Sequence, residues 1–123
     1  MLANFARPVA MTALPQDGLV LFVKRACPTC ALLEPLMRQV ADAVSAFTIV
    51  TQDDPQFPAG VASRVDDREL DHSYLNGIEF TPTLLRFDRG RETERVVGWD
   101  RAAWRRLTGI ADLGPDLPPL QPG

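Results

Sequence analysis

The chain has 123 residues, of which 46% are hydrophobic and 24% are charged, and this is the size and composition of one soluble globular domain. Its net charge of −3, without a basic stripe, argues against nucleic acid or an anionic membrane surface as a partner. No apolar run approaches the ~20 residues that a membrane-spanning helix needs, so no membrane span is expected.

The first predicted strand is the apolar run at residues 19–23, which follows a turn-like Pro-Gln-Asp-Gly segment. The only two cysteines come next, in the Cys-Pro-Thr-Cys motif of residues 27–30. Apolar residues at spacings of three and four then predict a helix to about residue 45, kinked at Pro35. A helix that begins at Cys27 would aim its free N–H groups at that sulfur and could lower the pKa of the thiol.

Residues 47–51 predict a second strand, which makes a βαβ unit with the first strand and the helix. The two strands are therefore expected to be parallel, with a right-handed crossover. Residues 52–64 contain two prolines, a glycine and two adjacent aspartates, and they predict a loop. A short helix is predicted from residue 66 or 67 to about residue 75, with acidic residues in its first turn.

Residues 83–87 and 92–97 predict two antiparallel strands, joined by a turn at Asp-Arg-Gly. Asp100 is a suitable N-cap for a helix over residues 101–107. Beyond residue 110 the chain is rich in proline, which predicts a linker or a disordered end rather than a packed element. The predicted organisation is an N-terminal extension (1–18), one domain (19–110) and a proline-rich tail (111–123).

The order of these motifs resembles the thioredoxin family. A strand ends at the C-x-x-C motif, Pro35 lies eight residues after the first cysteine, and Thr-Pro-Thr at residues 81–83 opens a hairpin. Gly98 lies sixteen residues after Pro82, where thioredoxins carry a glycine beside the active site. The resemblance covers about residues 19–110. It implies an α/β thioredoxin-like fold, with a four-stranded mixed sheet flanked by helices and a loop insertion at about residues 52–64.

The resemblance also implies roles for the cysteine motif. Cys27 would be the exposed attacking thiol, and Cys30 the buried resolving thiol. Pro28 and Thr29, between them, would tune the redox potential of the pair.

A substrate-binding surface is implied beside the two thiols. Pro82 would follow a cis peptide bond, and the backbone of Thr81 would hydrogen-bond an extended substrate segment. Gly98 would lie next to them. Trp99 could stand on the rim of the site, although the sequence slightly favours ordinary packing under the last helix.

Three departures from thioredoxins limit what the resemblance implies. Ala26 occupies the position where thioredoxins usually have tryptophan, and Leu21 the position of a buried aspartate that assists proton transfer. The spacing from Cys27 to Pro82 is 55 residues, which is longer than in a minimal thioredoxin. The short segment before the first strand resembles the smaller glutaredoxin-like core.

Other residues have simpler interpretations. A zinc site needs four ligands, and His72 is the only histidine available beside the cysteines. We expect His72 to be a bystander in a surface helix and Glu34 to lie on a solvated face. The Asp53-Asp54 pair reads as part of a turn. Lys24 and Arg25 could lower the pKa of the first thiol or merely be a solvated strand end; the sequence favours neither.

The sequence therefore predicts a thiol–disulfide oxidoreductase, acting as a reductase of protein disulfides through a redox-active disulfide. No metal or bound organic cofactor is required, and electrons would come from another reductase or from glutathione. One alternative is a glutathione-dependent, glutaredoxin-like enzyme. The other is a non-catalytic binding module attached to a larger protein through the proline-rich tail.

The expected location is the cytoplasm. Residues 1–8 lack both the basic region and the uninterrupted apolar stretch of a secretory signal peptide. A reducing compartment also suits cysteines that cycle between thiol and disulfide.

Overall fold

A computed structural model describes residues 13–123 of the chain. Residues 1–12 of the predicted N-terminal extension lie outside the described residues. In chain order the elements are β1 (Gly18–Val23), α1 (Pro28–Leu32), α2 (Glu34–Ala43), β2 (Phe47–Thr51), β3 (Arg64–Asp66), α3 (Asp71–Leu75), β4 (Thr83–Asp88), β5 (Arg91–Val97), β6 (Trp99–Asp100), α4 (Arg101–Thr108) and β7 (Leu120–Gln121). Within this part of the chain, no helix is long and apolar enough to cross a membrane.

The main sheet is mixed and has the strand order β3-β2-β1-β4-β5. β1 and β2 are parallel, as the βαβ pattern predicts, and β4 and β5 form the predicted antiparallel hairpin. Residues 13–123 form a main sheet of five strands, so the predicted number of four is wrong. The missed strand, β3, has only three residues and pairs with the edge of β2. Three residues are too few to show an alternating pattern, and they lie at the end of the predicted loop insertion.

The helix after the cysteines is interrupted rather than kinked. α1 ends at Leu32, and α2 starts at Glu34 with Pro35 in its first turn. Pro35 has no N–H to donate to the carbonyl of Ala31 one turn earlier, so the ladder of hydrogen bonds breaks there. The break leaves a separate five-residue helix carrying both sulfurs at its start.

The sheet is buried on both faces because side chains of β1 alternate between two apolar clusters. Leu19 and Leu21 join the larger cluster with residues of α2 and α4, and Val20 and Phe22 join a smaller cluster on the opposite face. A strand buried on both faces reads as a continuous apolar run, which is the pattern of residues 19–23.

Residues 111–123 pack on the domain, so the prediction of a linker or disordered end is wrong. Leu113 is buried in the main core. The indole Nε1 of Trp99 donates to the carbonyl oxygen of Pro118 at 2.7 Å, and β7 pairs with β6. Proline prevents helix formation in this segment, but side chains and carbonyl groups can still pack and accept hydrogen bonds.

α3 is shorter than predicted, and its histidine is buried. The helix begins at Asp71. Asp67, which precedes the helix, accepts hydrogen bonds from the backbone amides of His72 and Ser73 with its side chain. Asp66 belongs to β3 instead. The prediction that His72 lies in a surface helix is wrong, because α3 turns this side chain into the domain.

Candidate active site

The turn before the first cysteine is held by a carboxylate from a neighbouring loop. The Asp53 side chain accepts hydrogen bonds from the backbone amides of Arg25 at 2.7 Å and Ala26 at 3.0 Å. Asp53 follows β2, and the carboxyl ends of the parallel strands β1 and β2 lie at the same edge of the sheet. Asp53 thus fixes the turn that presents Cys27. Its position just after a parallel strand was the signal for this role, which the sequence interpretation as a simple turn missed.

Cys27 lies where the backbone can donate to its sulfur. It is the N-cap of α1, and its Sγ accepts a hydrogen bond from the Cys30 amide at 3.2 Å. The same Sγ donates to the carbonyl oxygen of Thr81 at 3.2 Å when it carries its proton. Both cysteines are free thiols and both are buried, Cys27 with 6% and Cys30 with 0% of its surface exposed. The expectation that Cys27 is an exposed thiol is therefore wrong, because its sulfur packs between the start of α1 and the Thr81 carbonyl.

The two thiols differ in acidity. Burial raises the pKa of the Cys27 thiol, but several hydrogen bonds, first those from the thiol and amide of Cys30, together lower it more, so the net pKa lies below the ordinary value. Burial and the adjacent Cys27 sulfur raise the pKa of Cys30 to about 12. At neutral pH the proton therefore stays on Cys30, and Cys27 is the thiol that ionises.

Three of the predicted substrate-binding residues lie together beside these thiols. The Thr81–Pro82 peptide bond is cis in this structure, and the Thr81 carbonyl faces the Cys27 sulfur. The amide of Gly98 donates to the carbonyl oxygen of Pro82 at 2.7 Å, so these two loops are joined next to the site.

Trp99, the fourth predicted substrate-binding residue, does not lie on the rim. It is 1% exposed, and its ring meets Trp104 edge-to-face with centroids 5.2 Å apart. In this structure Trp99 has the ordinary packing role, which the sequence also allowed.

Comparisons with known proteins agree with this architecture. No family model matches the sequence, and no curated protein matches it significantly. Among solved structures, MTB DsbF superposes with a TM-score of 0.63 at 20% identity, over 78% of this chain and 81% of that chain. StoA from Bacillus subtilis gives 0.57 at 19% identity, over 76% and 82% of the two chains. Mitochondrial thioredoxin 3 from Saccharomyces cerevisiae gives 0.55 at 17% identity, over 91% and 90%.

The chain has a thioredoxin-like fold. This confirms the fold class predicted from the C-x-x-C motif and from Thr81-Pro82 and Gly98. At these identities the similarity concerns the fold, and the chemistry has to be argued from the residues themselves.

Two residues that depart from the thioredoxin pattern change the surroundings of the cysteines at this thioredoxin-like site. Leu21 is fully buried in the apolar core, where the family pattern has an aspartate. Ala26 is exposed and offers only a methyl group beside Cys27. The wall of the site is therefore built by other residues.

An apolar groove that the sequence did not reveal opens onto Cys27 from the side of α3. Its volume is about 580 Å³, and its rim carries the exposed side chains of Leu70, Tyr74 and Phe80. Tyr74 is 85% exposed. Leu70 adopts a left-handed backbone conformation with φ 63°, which is unusual for a residue with a branched side chain. These three residues provide the apolar surface that Ala26 does not.

Of the remaining charged candidates, Lys24 lines the groove that leads to Cys27, whereas Arg25 and Glu34 contact other residues. The Arg25 guanidinium pairs with the Asp54 carboxylate at 2.7 Å, and this contact lowers the pKa of Asp54. The Glu34 carboxylate accepts a hydrogen bond from the Ala59 amide at 3.4 Å. In the described part of the chain, no cluster of three or more His, Cys, Asp or Glu residues is placed to hold a metal ion.

Proposed function

We propose that this protein is a thiol–disulfide oxidoreductase that reduces protein disulfides through Cys27 and Cys30. The observation that carries the proposal is the asymmetry of the two thiols: one accepts an amide hydrogen bond at 3.2 Å at the edge of a groove, and the other is fully buried. An attacking thiol needs a stabilised thiolate and access to substrate, whereas a resolving thiol needs only to reach the first sulfur.

In the first step the Cys27 thiolate attacks one sulfur of the substrate disulfide. The substrate S–S bond breaks, a mixed disulfide forms on Cys27, and the departing substrate thiolate takes a proton from water. Cys30 then loses its proton and attacks the Cys27 sulfur, which releases the second substrate thiol. The net transfer is two electrons and two protons from the dithiol to the substrate, and the protein keeps the Cys27–Cys30 disulfide.

The second step requires Cys30 to ionise in a site without a carboxylate at position 21. The neighbouring Cys27 sulfur contributes to the raised pKa of Cys30. Formation of the mixed disulfide removes the negative charge from Cys27, so the pKa of Cys30 falls at the moment when its thiolate is needed. The proton can then pass to water rather than to a protein carboxylate.

The electron donor would be a protein reductase or glutathione, acting on the Cys27–Cys30 disulfide, and no metal or bound organic cofactor takes part. A glutathione-dependent enzyme would need a glutathione groove around Thr81 and Gly98, and residues 121–123 lie against both. A reductase role fits the proposed cytoplasmic location.

Trapping of the mixed disulfide tests the proposal. Cys30→Ser should retain attack by Cys27 but lose resolution, so a covalent complex with a protein disulfide should accumulate and be visible by mass spectrometry. Cys27→Ser is the matched control and should give no complex. A Cys27 thiol that resists alkylation in the reduced folded protein at neutral pH would overturn the catalytic reading.

A redox titration of the cysteine pair tests the direction of electron flow. A reductase is expected to have a potential near that of thioredoxin, about −270 mV. A potential near or above about −120 mV would instead assign an oxidant role.

A further inference from the structure

The segment Leu120–Gly123, here called the strap, runs along one side of the thiol site. Two of its residues form β7 and pair with Trp99 and Asp100. The Thr29 hydroxyl, between the two cysteines, donates to the carbonyl oxygen of Pro122 at 2.6 Å. The strap is thus joined by hydrogen bonds to the cysteine motif itself.

The strap also covers the backbone opposite Cys27. A Cβ atom added to Gly123 would overlap the carbonyl oxygen of Thr81, so the two backbones are in direct contact. A Cβ added to Gly98 would lie 3.0 Å from the carbonyl oxygen of Gln121. The Thr81 carbonyl is the group that accepts from the Cys27 sulfur at 3.2 Å. A second extended chain cannot lie along Thr81 and Gly98 while the strap is there.

Little apolar burial holds the strap in place. Leu120 is 65% exposed, and Pro122 and Gly123 are also exposed. The firm anchor lies earlier, at the fully buried Leu113. Segments with few buried apolar contacts open at low free-energy cost, so the strap can leave the site without unpacking the core.

Cys27 can still be reached through the groove while the strap is in place, with Gly123 of the strap and Thr81 forming one edge of that groove. The groove beside Ala26 and Tyr74 reaches the sulfur from the direction of α3. A small disulfide or alkylating reagent can enter there, whereas an extended polypeptide also needs a backbone to bind along. The strap therefore discriminates by the size and shape of the incoming molecule.

We infer that the strap is an intramolecular competitor of polypeptide substrates, occupying the backbone edge beside Cys27 until a substrate segment displaces it. That the substrate which displaces the strap is a protein disulfide rests on the proposed function. An extended substrate segment that binds in place of the strap would form hydrogen bonds like those that the strap loses, as when a peptide adds to an exposed sheet edge. The apparent association constant for such a substrate equals its intrinsic value multiplied by the fraction of molecules in which the strap is open.

Gly123→Ala tests this inference, because the added Cβ forces the strap away from Thr81. The probes are insulin, as a polypeptide disulfide, and hydroxyethyl disulfide, as a small one. The variant should reduce insulin faster than the parent, by about threefold or more. The upper limit of this gain is the reciprocal of the fraction of parent molecules in which the strap is open. Hydroxyethyl disulfide should be reduced at the parent rate. Leu120→Ala is the matched control, since its side chain points to solvent, and it should match the parent with both probes.

Alkylation of Cys27 provides a second measurement that does not depend on turnover. The strap-displaced variant should react faster with a maleimide carried on a protein-sized polymer but at the parent rate with iodoacetamide. If Gly123→Ala reacts with insulin and with the polymer-bound maleimide no faster than the parent does, the inference is overturned. An equal gain with iodoacetamide also overturns it, because the whole site would then have opened. Absence of disulfide turnover with normal alkylation would instead count against the proposed function alone.

Discussion

Cys27 and Cys30 lie three residues apart in the chain, and the local backbone treats them differently. An amide donates to the first sulfur, while the second is enclosed by the apolar core. A hydrogen bond to a thiolate stabilises the charged form, and burial without such a partner stabilises the neutral form. The proposed division of labour between an attacking and a resolving thiol would therefore follow from position alone.

This division predicts selective alkylation. In the reduced protein, a single thiol should react with iodoacetamide between about pH 6 and pH 9, with a midpoint below the ~8.5 of a free cysteine. The reason is that the pKa of Cys27 is lowered and that of Cys30 is raised to about 12. The rate is followed against pH by mass spectrometry. Cys27→Ser should stay almost unreactive over the same range, and a midpoint at or above 8.5 in the parent would contradict the assignment.

At the scale of elements, the tail and the interrupted helix decide the shape of the site. α1 is short and carries both sulfurs at its start, and residues 111–123 close one side of them. Leu113 ties this last segment to the core near Trp99. The tail is therefore part of the domain and not an appendage to it.

Packing of the tail predicts a measurable stability effect. Leu113→Ala should lower the free energy of unfolding by about 2–5 kcal/mol, because it leaves a cavity in the core. Urea unfolding of the reduced protein measures this change. Leu120→Ala, in the same tail but exposed, should stay within about 0.5 kcal/mol of the parent. Equal and small effects of both substitutions would mean that the tail does not pack in solution.

At the scale of the whole molecule, the sheet brings distant segments to one edge. The turns after the parallel strands β1 and β2 meet there, and Asp53 joins them by bonding to the amides before Cys27. The loop that begins β4 brings Thr81 to the same place, 54 residues from Cys27 in the chain. The buried thiol between these segments is Cys30, and because it holds its proton more tightly in the folded state, folding is coupled to proton binding.

The raised pKa of Cys30 predicts that the reduced protein loses stability in alkali. Folded Cys30 keeps its proton to about pH 12, whereas the unfolded thiol releases it near about 8.5. Its contribution is thus fully present below pH ~8.5 and is lost as pH rises toward 12, at up to ~1.4 kcal/mol per pH unit. Urea unfolding from pH 9 to 10.5, with reductant present, measures the slope.

Cys30→Ser is the control for this pH dependence, because serine does not titrate in the range. Cys27 is present in both parent and variant, so the difference between their slopes reports on Cys30. The variant should therefore show the shallower decline. Identical slopes for parent and variant would mean that Cys30 is not protected in the folded state.

The sequence by itself determined the elements that have strong local patterns. The apolar run of β1, the spacing of the helix after the cysteines and the turn before β5 each carry their own signal. The C-x-x-C motif and Thr-Pro-Thr, at their spacing, were enough to predict the fold class.

Only the tertiary structure decided what lies around the thiols. β3 is too short to show a period, and the proline-rich tail binds through backbone carbonyls that any sequence provides. Leu70, Tyr74 and Phe80 form a surface only because the 52–81 segment folds back to Cys27. Burial of Trp99 and His72 likewise depends on which face of the domain covers them. Local patterns report on neighbours along the chain, whereas these features depend on contacts between residues far apart in it.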